Sequence, residues 1–271
     1  MTHQYSPQIQ EISLLVKAIA DKFGNLPQVL AVALAGSRTT GVSNPTSDYD
    51  FYVYIQEEIP VETREIIAKE FAQRLEINNQ FWEVGDEWID NKTGCRVDIM
   101  YRTPQWIEQQ LERVLIKHQA SVGYSTCFWW NVLTSANLYD KTGWFNKLQQ
   151  QADQPYPEPL KKAIIAKNYP ILRTNISSYT KQIESAINRN DSLSIIHRTA
   201  VLLASYFDII FAINSIPHPG EKRLLQQLNK LCSKIPENME NQICAIHDSI
   251  ASPANLLDHL NTLIAVDLPS V

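Results

Sequence analysis

Residues 29–55 constrain this chain more than any other stretch. Val29 to Ala35 is an apolar run of small and β-branched residues, which suits a buried strand. Gly36-Ser37 ends the run. A glycine there can take a positive φ and lets the backbone approach a ligand closely. Ser37 and the N–H groups after it can then hydrogen-bond an anion such as a phosphate. The loop that follows carries Gly41, Asn44 and Pro45, all turn residues. A second strand then opens with Ser47-Asp48-Tyr49-Asp50-Phe51. Side chains alternate along a strand, so Asp48 and Asp50 share one face while Tyr49 and Phe51 take the other. Two carboxylates about 7 Å apart on one strand repel, and water or a cation must compensate. Paired hard oxygen ligands suit Mg²⁺, which prefers carboxylates together with substrate phosphates.

The rest of the first half reads as helices and strands around this unit. Ser6-Pro7 is a helix start, with Ile9, Ile12, Leu15, Val16, Ile19 and Phe23 at helical spacing and Gly24-Asn25 as the stop. Residues 61–77 are expected to be helical, with Ile67, Phe71 and Leu75 on one stripe. A β-hairpin follows, with one strand within 80–89, a turn at Asn91-Lys92-Thr93-Gly94 and a strand from Cys95 to Tyr101. Asp98 lies inside that last strand, between Val97 and Ile99, where a buried carboxylate is costly without a partner. With the turn at 91–94, Glu87 stands opposite Asp98, on the same face, with Glu83 further out. A one-residue slip would turn both away. Thr103-Pro104 opens a helix that turns Trp106, Ile107, Leu111, Val114 and Leu115 inward. The aromatics between 121 and 139 read as core in preference to a base-stacking platform. A turn at 140–143 and a short helix at 144–151 complete this half.

Three prolines between Ala152 and Pro159 mark the boundary candidate, giving units 1–152 and 153–271. Beyond it the strand patterns cease and an all-helical half is expected. Its helices are 160–189, as one long helix or two broken near Tyr169-Pro170, then 192–213, 221–233, 237–248 and 253–265. In 192–213 the apolar side is Leu193, Ile196, Ala200, Leu203, Phe207 and Ile210. His197 and Asp208 are read there as core hydrogen-bonding groups in preference to acceptor binding. At Pro217-His218-Pro219-Gly220-Glu221-Lys222-Arg223 a turn opens onto a helix start with two cations. That suits a polyphosphate, and equally a solvated first turn.

Leu34-Ala35-Gly36-Ser37, the loop, Asp48-Tyr49-Asp50-Phe51 and the later Val97-Asp98-Ile99 together resemble the signature of the nucleotidyltransferase superfamily. That group includes DNA polymerase β and the antibiotic nucleotidyltransferases. The resemblance covers most of residues 29–140 in motif order. It implies an α/β (α+β) fold, a small mixed sheet flanked by helices and followed by a helical bundle. It implies transfer of a nucleoside monophosphate from an NTP, ATP foremost, to an acceptor hydroxyl. Asp48, Asp50 and Asp98 would hold two Mg²⁺ ions, with Mn²⁺ as a substitute. Gly36, Ser37 and Arg38 would hold phosphates, and Glu87 would serve as general base. In the aminoglycoside nucleotidyltransferases a Lys from the helical domain reaches the triphosphate. By that likeness Lys222 takes the role, with Arg223 second. The nearest analogy makes the acceptor a small molecule bound between the domains. The rivals are an antitoxin-type enzyme that modifies a partner protein and a non-catalytic nucleotide-binding regulator.

Composition narrows the field further. With 271 residues, 44% hydrophobic and 20% charged, the chain can bury one large core or two modest ones, so disorder is not expected. A net charge of −5 argues against broad nucleic-acid binding, which needs a basic footprint. None of the four cysteines forms a Cys-x-x-Cys pair, so structural zinc and a disulfide framework are not expected. The sequence has no basic, apolar, cleavable leader and no apolar run near 18 residues, so a cytoplasmic protein without a membrane span is expected. The oligomeric state is left open.

Overall fold

The computed structural model describes residues 14–81 and 83–265. The Ser6-Pro7 helix start, with Ile9 and Ile12, lies outside these. The chain divides into two compact units: Met1–Glu112 with Phe128–Gln154, and Arg113–Cys127 with Pro155–Val271.

The first unit is built on one mixed sheet of six strands. In chain order its elements are α1 (Leu14–Gly24), β1 (Val29–Ala35), the single turn α2 (Ser37–Thr40), β2 (Tyr49–Ile55) and α3 (Val61–Lys69). There follow β3 (Ala72–Asn79), β4 (Gly85–Asp90), β5 (Arg96–Arg102), α4 (Pro104–Leu115), α5 (Cys127–Thr134), β6 (Ala136–Asp140) and α6 (Trp144–Ala152). The strand order is β3-β4-β5-β2-β1-β6. Only the central pair β2–β5 is parallel, and every other neighbour is antiparallel.

The alternation of β2 and β5 assigns the two faces. Phe51, Val53, Val97, Ile99 and, from β4, Trp88 pack with Val16, Ile19 and Phe23 of α1 and Ile67 and Ala68 of α3. Burying each such large side chain is worth roughly 1.5–3 kcal/mol. The side chains between them, Asp50, Tyr52, Asp98 and Glu87, therefore share the opposite face. β1 is buried at every position, as its unbroken apolar run requires.

Two strands depart from the sequence reading. The expected helix 61–77 ends at Lys69, and Ala72–Asn79 is the edge strand β3. Phe71 and Leu75 fit helical spacing, but Leu75 and Ile77 also alternate, and pairing with β4 decides for the strand. β6 was not anticipated. It pairs with β1 at the other edge of the sheet.

The second unit holds the excursion 113–127 and α7 (Glu158–Leu172), α8 (Tyr179–Asn188), α9 (Ser192–Ile213), α10 (Leu224–Leu231), α11 (Met239–Ser249) and α12 (Leu256–Ala265). α9 has the length and apolar composition of a membrane-crossing helix, yet 61% of its most apolar window is buried, as in the core helix of a bundle. Asp191 caps it by accepting from the Ser194 N–H at 3.0 Å. α7 runs on through Pro170 for one more half-turn before it ends.

Asp208 on α9 is buried, and it accepts from both the N–H and the Oγ of Ser125, at 3.0 and 2.6 Å. Asn168 of α7 donates to the Ser121 carbonyl and accepts from the Gly123 N–H, each at 3.0 Å. These bonds pin the excursion to the bundle. The core role expected of Asp208 is therefore observed. That of His197 is not, because its side chain is exposed. Leu193 and Ile196, expected inward, are 62% and 47% exposed. α9 is apolar on several sides, and the packing of α7 and α8 selects which side is covered.

Candidate active site

The register of the sheet assembles a row of carboxylates. In the parallel pair, Asp50 stands directly opposite Asp98, and in the adjoining hairpin Glu87 stands directly opposite Asp98. Glu76 of β3 lies opposite Glu87 in turn. Directly opposed residues share a face, so four acids from four neighbouring strands run along one line. The hairpin register expected from the 91–94 turn is the one observed.

The Gly36 turn lies at the β1 end of that line. Ala35 pairs with Asp50, and Gly36 follows with φ 72° and ψ −152°, a conformation open essentially to glycine alone. A Cβ on Gly36 would lie 1.9 Å from Oδ2 of Asp50. The missing side chain thus makes room for the carboxylate. Ser37 begins α2, and its hydroxyl makes no hydrogen bond among the described residues. Arg38 braces the loop. Its Nε donates to the Asp48 carbonyl at 3.0 Å, its Nη2 donates to the Ser47 carbonyl, and its guanidinium lies 3.7 Å over the Tyr49 ring.

Arg96 was not anticipated among the site residues. Its Nη2 lies 2.7 Å from Oδ2 of Asp48 and 3.1 Å from Oδ2 of Asp98. The register explains this: Tyr49 pairs with Val97, so one step back sets Asp48 beside Arg96. The sequence signal is the alternation Arg96-Val97-Asp98, which puts both polar residues on one face. Burial alone would weaken the Arg96 charge, but Asp98, Asp48 and Glu87 hold its pKa above the usual value.

Asp98 is strongly perturbed. Burial pushes its pKa up, Arg96 pulls it down, and Asp50, Glu87 and Asp48 push it up again, to about 7. Its Oδ1 is buried without a hydrogen-bond partner. A hard divalent cation answers both features, since it neutralises crowded carboxylates and takes the orphaned oxygen as a ligand. The donor chemistry therefore fits Mg²⁺ or Mn²⁺ at Asp48, Asp50 and Asp98. Among the described residues no three acidic, His or Cys side chains are drawn together on one point.

Next along the same face, Arg102 donates to both carboxylate oxygens of Glu83 at 2.7 Å and lies 3.8 Å over the Tyr52 ring. Glu83 is thus held by an arginine. Lys222 and Arg223 belong to the second unit. They precede α10, which starts at Leu224 and not at 221, and Arg223 has φ 53°.

Residues 12–120 match the family model described as "Nucleotidyltransferase domain". No curated protein matches the chain. Among solved structures, a nucleotidyltransferase-like protein from Exiguobacterium sibiricum is similar, with 10% identity, a TM-score of 0.42, and 92% of this chain and 72% of that one covered. So is the spectinomycin adenyltransferase AAD(9) from Enterococcus faecialis with ATP and spectinomycin, with 13% identity, a TM-score of 0.30, and 92% and 95% covered. The strand, Gly36-Ser37 turn, Asp48-x-Asp50 pair and Asp98 all fall inside the matched stretch, and residues 12–120 of this chain carry a nucleotidyltransferase domain.

Proposed function

We propose that the protein transfers a nucleoside monophosphate, AMP from ATP foremost, to a hydroxyl of a small-molecule acceptor. The observation that carries this reading is the alignment of Asp50, Asp98 and Glu87 in one cross-strand row beside the Gly36 turn. Nucleotidyl transfer joins an acceptor oxygen to the α-phosphorus and breaks the bond from that phosphorus to pyrophosphate. The acceptor proton must go to a base, and the phosphate charge must be neutralised. A divalent cation held by Asp48, Asp50 and Asp98 would supply charge neutralisation and a more acidic acceptor hydroxyl.

The chain's own residues supply the rest. Gly36 opens the backbone, and the Ser37 hydroxyl and adjacent N–H groups are donors for phosphate oxygens. Arg38 keeps the loop before Asp48 in place. Glu87, opposite Asp98, is the proton acceptor of this reading. On the sequence resemblance alone, Lys222 and Arg223 are carried as triphosphate contacts, and Lys222→Ala is expected to raise KM for ATP.

The test is transfer from α-labelled ATP with Mg²⁺, offered a panel of hydroxyl-rich compounds and a cell lysate, with Asp48→Asn as control. Label on a small molecule, absent with Asp48→Asn, is the expected result. Label on a protein band would replace the small-molecule acceptor with a protein. No label from any NTP, despite binding of Mg-ATP, would sink the enzymatic reading and leave a nucleotide-binding regulator.

A further inference from the structure

We infer that Arg96 is a latch that occupies the carboxylate site until a divalent cation displaces it. This rests on the metal-dependent reading above. One guanidinium nitrogen bridges carboxylates from two different segments, Asp48 before β2 and Asp98 on β5, at 2.7 and 3.1 Å. Asp48 and Asp98 are also the side chains that would hold the cation. A divalent cation among these carboxylates would repel a guanidinium held 2.7 and 3.1 Å from their oxygens, so loading and latching compete.

Three features suit Arg96 to this exchange. Its side chain is 44% exposed, so it has a route into solvent. Its guanidinium cannot lose its charge, so it leaves by moving and not by deprotonation. Its neighbours of the same type are committed elsewhere, Arg38 to loop carbonyls and Arg102 to Glu83. Without a cation the latch offsets repulsion among Asp48, Asp98 and their neighbours. With one, it frees a charged group beside the carboxylate row.

The probe is Mn²⁺ alone, titrated into the full chain and followed by electron paramagnetic resonance. Removing a competing ion pair from a partly exposed site tightens metal binding, and Arg96→Gln is expected to bind Mn²⁺ about tenfold more tightly than wild type. A second readout uses the wild-type protein: phenylglyoxal modification of Arg96, scored by peptide mass, should accelerate when Mn²⁺ is added. A merely structural arginine would not respond in that way. Equal Mn²⁺ affinity in the variant, or slower modification with Mn²⁺, overturns the latch and leaves the metal reading standing. Absence of Mn²⁺ binding in both proteins overturns the two together.

Discussion

Asp50 and Asp98 face each other across the one parallel strand pair of the sheet, and each is bordered by a further group that accommodates its carboxylate. For Asp50 that group is the bare Cα of Gly36, and for Asp98 it is Arg96. Neutralising either acid should leave the fold intact and remove the chemistry. Asp50→Asn and Asp98→Asn are expected to lower kcat for nucleotidyl transfer by about 10³-fold or more, the scale on which preorganised charge stabilisation is lost. Circular dichroism should stay at the wild-type level. Full activity in either variant would remove that residue from the site.

Asp98 also makes stability depend on pH. Its folded pKa of about 7 lies above the usual carboxylate value of 3.8. Between those values the folded state binds the extra proton, so unfolding releases it and stability falls as pH rises from about 4 to about 7. Asp208, raised to about 6 by burial, adds to the same slope from the second unit. The wild-type curve alone therefore does not isolate Asp98. The difference between wild type and Asp98→Asn should show a relative gain for the variant that grows up to pH 7, read from chemical denaturation in chelator. A flat difference would mean that Asp98 ionises normally.

Gly36→Ala tests the turn. The new methyl would sit 1.9 Å from an Asp50 oxygen, on a backbone with φ 72°. Backbone strain of this kind costs on the order of 1–3 kcal/mol, and the contact must also push Asp50 aside. The expected outcome is a lower Tm and loss of Mn²⁺ binding together. Loss of stability with metal affinity unchanged would show that Asp50 does not need the space.

Arg64 tests the far side of the sheet. It is buried, and it pairs with buried Asp86 at 3.3 Å. Asp86 also accepts from the Asn78 N–H at 2.8 Å and the Tyr101 hydroxyl at 2.6 Å. Arg64→Ala strands a buried carboxylate with only neutral donors, and breaking such a pair typically costs about 3–5 kcal/mol. Urea denaturation should show a loss of that order. A loss below about 1 kcal/mol would place Asp86 in contact with water in solution.

Local pattern made much of this legible. β1, the Gly36-Ser37 stop, the Asp48-x-Asp50 pair and the full span of α9 follow from short-range apolar spacing. The Glu87–Asp98 pairing follows from the hairpin turn, because a tight turn sets the register of the strands beside it. What escaped depends on partners distant in the chain. β3 carries a pattern that suits helix and strand alike, and β6 is five residues long and defined by its pairing to β1. Arg96 looks like an ordinary exposed strand residue until β5 is laid beside β2. The outward turn of Leu193 and Ile196 depends on which helices flank α9.

The single parallel pair has a consequence for how the molecule comes together. β1–β2 and β4–β5 are antiparallel neighbours close in sequence, and each carries only part of the acidic row. Asp50 and Asp98, 48 positions apart in the chain, meet when these two pieces dock. Non-local docking of this kind is the slow and demanding part of forming a sheet. A slip of one residue there would set Val97 in place of Asp98 and turn the carboxylate toward the core. Correct topology and an assembled row of acids are therefore the same event.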